Sequence, residues 1–259
     1  MSSMLWGEFS IRLQYAGELK IRLRYTGEFS IRPYQRRIEN SPHNNKSKGM
    51  KKESVQYRRN LPHILPPGAT YFVTYRLHGS IPRHKSQEWE SVFTKQKTAI
   101  LAQPLHPDIQ REEIYKLQKK QFVEMDDWLD ANPNGPYWLQ EDKVAKEVAD
   151  SLYFLANRDF NLWAFCIMSN HVHALLTPFE SAPLLFKIFQ NHKRHTGNRG
   201  NKVLGRSGAF WQHESFDHYV RDDREFDRIV AYIANNPVKA GIVENWQDWK
   251  WTYLHPDLL

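Results

Sequence analysis

Three places in this chain carry side chains able to do chemistry together. His171-Val172-His173 is the first: on a strand, residues i and i+2 leave the same face, so two imidazoles would stand side by side while Val172 points away. Two imidazoles can hold a divalent metal and leave positions for a third ligand, water and substrate. The same pair also reads as two surface or cross-strand histidines. Tyr232 is the second. Phe226, Ile229, Val230 and Ile233 follow the i, i+3, i+4, i+7 rule of a helical core stripe, and Tyr232 lies off it, with Arg228 and Asn236 on its own face. A phenol can attack phosphorus, and a nearby metal favours its ionised form; otherwise Tyr232 caps the edge of a core. Asn236 is the third, an amide oxygen able to complete a metal site, or simply the residue that ends a helix before Pro237.

Ser181 to His213 contains no acidic residue, while Lys187, Lys193, Arg194, Arg199, Lys202 and Arg206 are basic, with Phe186, Phe189, Phe210 and Trp211 among or beside them. Cations that neutralise phosphates and rings that stack on bases suit single-stranded nucleic acid; a solvated helix and loop would look the same. Cys166 alternates into an apolar strand and reads as packing, and His213 and His218 as phosphate contacts or surface residues. One cysteine excludes an intramolecular disulfide and a multi-cysteine zinc site. No phosphate-binding loop, dinucleotide fingerprint or G-x-S-x-G elbow occurs.

The elements that would position these groups follow from periodicity. Ala69 to Leu77 is β-branched and aromatic, a strand after the Pro66-Pro67-Gly68 turn. Helical patterns run over Gln87–Ala102, Asp108–Asp130, Lys143–Asn157, Pro183–His195 and Asp222–Asn235. Leu162 to Met168 is a buried strand, Ser169-Asn170 a turn, and His171 to Thr177 its partner. Residues 101–150 hold eleven acids against six bases and are expected to face water. Strands separated by helices, with a hairpin among them, predict an α+β fold on an antiparallel sheet.

The chain has 259 residues, 41% hydrophobic, 25% charged and 14% aromatic, the composition of a folded soluble protein. No apolar run is long enough for a membrane helix and the N-terminus lacks a signal-peptide h-region, so a cytoplasmic protein is expected. The formal charge is +7, but residues 1–60 carry thirteen basic and five acidic residues, +8, leaving −1 for the rest. A basic partner argument from pI would therefore rest on a tail. That tail holds a ten-residue repeat (Gly7-Glu8-Phe9-Ser10-Ile11-Arg12, Gly17-Glu18-Leu19-Lys20-Ile21-Arg22, Gly27-Glu28-Phe29-Ser30-Ile31-Arg32) over 1–34, with short-strand alternation. A thirty-nucleotide DNA repeat read as protein would produce it, and Met50 is then a candidate start; N-terminal sequencing of the native protein tests this. Residues 35–60 read as a basic, flexible linker, and 61–256 as the functional domain.

Four motifs in order carry a resemblance: Met168-Ser169-Asn170-His171-Val172-His173; Gly205-Arg206-Ser207-Gly208-Ala209-Phe210-Trp211-Gln212; Phe216-Asp217-His218-Tyr219-Val220-Arg221; and Tyr232-Ile233-Ala234-Asn235-Asn236-Pro237-Val238-Lys239-Ala240-Gly241. Together they resemble the single-tyrosine HUH transposases, in the branch of REP-associated tyrosine transposases. The likeness runs from about Leu61 to His255. It implies a ferredoxin-like, RNA-recognition-motif-like fold whose central strand carries the histidines, with Mg²⁺ or Mn²⁺ on His171, His173 and Asn236. It implies Tyr232 as the nucleophile that nicks and rejoins single-stranded, hairpin-containing DNA through a 5′-phosphotyrosine, and Arg221 with the basic stretch and Trp211 as DNA contacts. A homodimer is expected, since mobile-element relatives work as dimers. Ser169 replaces a commoner proline, and 85–136 is longer than in minimal members. Two rival readings are a non-catalytic DNA-binding regulator on the same fold and a metallohydrolase. The second would need carboxylate ligands, and residues 165–178 contain none.

Overall fold

The computed structural model describes the backbone of 20–22, 28–30, 55–58 and 62–65, and residues 68–131 and 135–259. The first two segments, β1 (Lys20–Arg22) and β2 (Glu28–Ser30), pair antiparallel and fall in the second and third decapeptide repeats; the first repeat lies outside the described residues. In the stretch read as a linker, β3 (Val55–Arg58) is extended and pairs with β4 (Pro62–Leu65).

The functional part is built on β5 (Tyr71–Arg76), β6 (Phe160–Ile167), β7 (His171–Pro178), β8 (Phe216–Tyr219) and β9 (Thr252–Leu254), with helices α1 (Arg83–Leu101), α2 (Pro107–Ala131), α3 (Asp142–Ala156), α4 (Leu185–Val203) and α5 (Asp223–Lys239). The five strands form one antiparallel sheet in the order β8-β5-β7-β6-β9. Because β5 and β6 both run antiparallel to β7, they are parallel to each other; β7 and β8 are related the same way through β5. The inner four strands are thus two interleaved strand–helix–strand units in the ferredoxin-like 4-1-3-2 order, with β9 added beside β6. The expected α+β antiparallel fold is the one observed.

Alternation along the strands sorts the core into two layers. Tyr71, Val73, Tyr75, Val172, Ala174 and Leu176 face α3 and α4. Phe72, Cys166 and Leu175 face the other way, against α2 and α5. His171 and His173 share that second face with Leu175, while Val172 belongs to the first.

α1 begins four residues before its expected start, and two helices run past their expected ends. α4 runs eight residues past His195, through Gly197 and Gly200. Glycine weakens a helix interior, but a Cβ at Gly200 would lie 2.6 Å from Cε2 of Phe210. The helix gives up a side chain so that the 205–211 segment can lie against it. α5 continues through Pro237 to Lys239. The proline costs one hydrogen bond in the last turn, and Ala240 N–H still donates to the carbonyl of Asn236.

Candidate active site

The two histidines project from the start of β7 onto the α2/α5 face. Both are buried, and their Nε2 atoms lie 3.0 Å apart. Each ring is oriented from behind. Asn170 donates its amide N–H to the carbonyl of Leu129, 2.8 Å away, which turns its Oδ1 toward Nδ1 of His171 at 2.7 Å. His171 Nδ1–H must donate there, which makes Nε2 the lone-pair nitrogen and turns it toward Nε2 of His173. Nδ1 of His173 meets the Thr74 hydroxyl at 2.7 Å, from the cross-strand position on β5. Burial, and then the neighbouring His173, lower the His171 imidazole to about 3, so it is neutral in ordinary buffers.

The third member comes from α2. Asp126 is 1% exposed, with Oδ1 at 3.2 Å from His173 Nε2 and 3.7 Å from His171 Nε2. Ligands bound to one ion at about 2.1 Å stand about 3.0 Å apart at right angles and about 3.4 Å apart in a tetrahedron. Two of the three separations fall in that range and the third, 3.7 Å, is slightly wider, so they form a His/His/Asp group able to hold a divalent ion. Burial opposes ionisation of Asp126, but the hydrogen bond and charge of His173, with His171 and Lys239, hold its carboxyl well below the usual range. The expectation that 101–150 faces water is corrected here. α2 turns Phe122, Asp126 and Leu129 inward, an i, i+4, i+7 stripe whose middle member is an acid. An acid on an apolar stripe was the signal in the sequence.

Tyr232 sits on α5 above this group. Its ring packs edge-on to Phe72 and near His173, and its hydroxyl donates to Oδ2 of Asp126. Burial, followed by the charge and hydrogen bond of Asp126 and then Asp130 and Asp127, raises the phenol well above its ordinary value. Lys239, two turns along α5, reaches the same Asp126 Oδ2 at 3.2 Å and Asp130 at 3.0 Å. Asn236 lies between Tyr232 and Lys239 on that helix stripe. It is 1% exposed, and its amide atoms have no hydrogen-bond partner among the described residues. An orphaned buried amide beside a His/His/Asp group is what a site built for an ion and its ligands would present.

The predicted DNA contacts divide differently. Lys187, Arg194 and Lys202 are exposed along α4 and have no acidic partner among the described residues. Lys193 donates to the His213 carbonyl at 2.8 Å and to Ser215 at 3.0 Å. Arg199 forms a two-pronged pair with Glu147, and Arg206 stacks on Trp138 while bonding Asn201. Trp211 is mostly buried: it packs on Tyr75, bridges Leu77 and donates to Thr196, with the rest of it lining the groove beside α4. All of α4 lies on the opposite face of the sheet from His171 and His173. A groove of about 290 Å³ runs there between α4 and 208–217, past Lys193, Arg194, Asn198 and Gln212. Arg221 alone of the set is on the site's face, paired with Glu112 and stacked on Tyr115 of α2. His218 is half-buried beside Tyr115 and Glu225; His213 is exposed. Among the described residues no helix is long and apolar enough to cross a membrane.

No family model matches the chain. A Haemophilus influenzae protein named for the REP-associated tyrosine transposases is 29% identical over 108 residues, which is 38% of this chain and 61% of the relative. The REP-associated tyrosine transposase of Escherichia coli K12 is 26% identical over 102 residues, 39% of this chain and 59% of the relative. The chain therefore spans about three fifths of the curated relatives it matches. A solved structure of a REP-associated tyrosine transposase bound to a REP hairpin is 17% identical, covering 79% of this chain and 90% of that one with a TM-score of 0.44. By its sequence likeness to these curated proteins, the chain is a relative of the REP-associated tyrosine transposases.

Proposed function

We propose that this protein is a metal-dependent tyrosine endonuclease and strand transferase acting on single-stranded, hairpin-containing DNA, as a transposase does. The observation that carries the reading is the convergence of Tyr232, His171, His173 and Asp126 on one sheet face. His171, His173 and Asp126 would hold Mg²⁺ or Mn²⁺, with the Asn236 amide as a further donor. Such an ion supplies Lewis-acid polarisation of a phosphate oxygen.

The chain's own residues do the rest. The Tyr232 oxygen forms the new bond to phosphorus as the bond to the 3′-oxygen breaks, leaving a 5′-phosphotyrosine and a 3′-hydroxyl. The Tyr232 hydroxyl is oriented by its hydrogen bond to Asp126 Oδ2; its proton leaves to solvent as the new bond forms, and the departing 3′-oxygen takes one proton from solvent, so none is gained or lost overall. Rejoining is the reverse. α4, with its free cations, would bind DNA outside the reacting segment, and a homodimer in the cytoplasm is the proposed working form. The domain responsible is 61–256, with 1–34 outside it. The metallohydrolase reading gains a carboxylate in Asp126, but not an explanation for a phenol on that carboxylate.

The test is incubation of purified protein with labelled hairpin DNA from its own genomic flanks, with Mn²⁺ or EDTA, on a denaturing gel. Wild type should give a nick and a covalent adduct only with Mn²⁺. Tyr232→Phe should lose both by about 10³-fold or more, as removal of a nucleophile does. Equal cleavage by the variant would move the nucleophile elsewhere. DNA binding without any adduct would leave the non-catalytic regulator.

A further inference from the structure

One cation shares the sheet face of the histidine pair and has no role so far. Arg76 ends β5, directly opposite His171 in the antiparallel ladder. Directly opposed residues share a sheet face, with Cβ atoms about 4.5–5.5 Å apart. Thr74, two residues earlier, confirms the face, because its hydroxyl meets His173 at 2.7 Å. The Arg76 side chain therefore leaves the sheet on the face that carries His171, Tyr232 and Asp126, and its guanidinium reaches Ser80.

Its partners are few. Nη1 donates to the Ser80 hydroxyl at 3.3 Å, and that hydroxyl in turn donates to the Leu77 carbonyl at 2.8 Å. No carboxylate pairs with Arg76 among the described residues, although it is half-buried. A guanidinium has five N–H donors in a planar fork, so most remain uncommitted. Burial lowers its affinity for a proton to about 10, which leaves it charged at neutral pH. Half-buried arginines ordinarily find an anion. The base of the strand is also held: Leu77 N–H donates to the Asn170 carbonyl at 2.8 Å, and Asn170 orients His171. Arg76 and the metal-binding imidazole are thus fixed by the same turn.

We propose that Arg76 is a substrate-binding residue of this site, gripping a non-bridging oxygen of the DNA phosphodiester that Tyr232 attacks. The fork matches two phosphate oxygens, or one oxygen and the adjoining ester oxygen, in a way a lysine cannot. Its charge would rise in value as negative charge builds on the equatorial oxygens, so its effect falls on the chemical step more than on DNA affinity. The inference rests on the tyrosine nuclease reading and names how that site holds its substrate.

The experiment uses full-length wild type, Arg76→Ala, Arg76→Lys and Arg76→Gln with Mn²⁺ and saturating hairpin DNA, following adduct formation in a single turnover. Arg76→Ala should slow the step about 100-fold, the scale of one lost oxyanion donor. Arg76→Lys should fall between, with DNA Kd changed much less than rate. Mn²⁺ affinity, read by calorimetry without DNA, should not move. Oligonucleotides with either methylphosphonate diastereomer at the scissile position add a phosphate-specific readout. The penalty from the diastereomer lacking the gripped oxygen should shrink in Arg76→Ala, while that from the other stays. A rate within twofold of wild type in Arg76→Ala overturns the proposal. So does a loss matched by equal losses of Mn²⁺ affinity and Tm, which marks a structural prop; should Arg76→Ala not fold, Arg76→Gln and Arg76→Lys carry the same comparison. Absence of a Tyr232-dependent adduct in wild type would instead sink the nuclease reading itself.

Discussion

Asp126 touches both halves of the candidate site: one oxygen faces the histidine pair and the other accepts the Tyr232 hydroxyl. Replacing it by asparagine keeps its size and removes its charge. Mn²⁺ affinity of Asp126→Asn should fall at least about 10-fold, the scale of even an outer-sphere loss. The Tyr232 phenol should titrate at lower pH than in wild type. The sign follows from its environment: burial raises it first, and that stays, but the Asp126 charge raises it next and is gone. Calorimetry with Mn²⁺ and ultraviolet titration of tyrosinate read the two effects, and unchanged values would remove Asp126 from the site. His171 and His173, and Tyr232 and Asn236, share faces by local periods of two and four residues, but it was the resemblance of their motifs, not the spacing, that singled them out. Asp126 was not legible in the sequence, since its helix meets the histidines only through tertiary packing; only its place between Phe122 and Leu129 hinted at burial. Trp211 shows the complementary point, an aromatic in a basic stretch most of whose indole is spent on core packing.

α4 shows what an element's sequence hides. The helix was expected to end at His195, yet it continues through Gly200, which admits Phe210, a contact with a segment further along the chain. Its buried histidine was not singled out either. His192 spans layers, with Nε2 at 2.8 Å from the Tyr75 hydroxyl of β5 and Nδ1 at 2.9 Å from Ser151 of α3. Burial, with smaller contributions from Lys193 and His195, lowers it to about 3. The unfolded state then binds the proton more readily than the native one. Stability from this group is full above the unfolded value near 6.5, and is lost as pH falls from there toward about 3. The loss is limited to about 1.4 kcal/mol per pH unit for each such group. Urea unfolding at pH 7 and pH 4.5 should show wild type weakening by more than His192→Gln does, even though the variant starts lower at pH 7. Equal pH slopes would mean that His192 takes up its proton without unfolding.

At the scale of the molecule, the sheet separates two jobs. One face carries the histidines, Asp126 and Tyr232 beneath α2; the other carries α4 with Lys187, Arg194 and Lys202 free in solvent. Strand alternation alone assigns the histidines and Val172 to opposite faces, but which helices cover each face depends on crossovers that no local pattern specifies. The net charge is equally uninformative as a whole, since the excess sits in residues 1–60 and the remainder sums to −1. What matters is that α4 holds cations without acidic partners, whereas Arg199 and Arg221 are already paired. Phosphates contacted by the first group would release counterions, at about 0.7 of a unit of salt slope per contact on single strands and 0.9 on duplex. Changing Lys187, Arg194 and Lys202 to alanine together should lower the slope of log Kd against log salt by about 2 to 3 and weaken DNA binding. The rate of adduct formation at saturating DNA should stay within about twofold, because none of the three lies on the face of Tyr232. A full salt slope in the triple variant would remove α4 from the DNA path. A lost chemical rate at saturation would instead join the two faces through the sheet, in conflict with their separate cores.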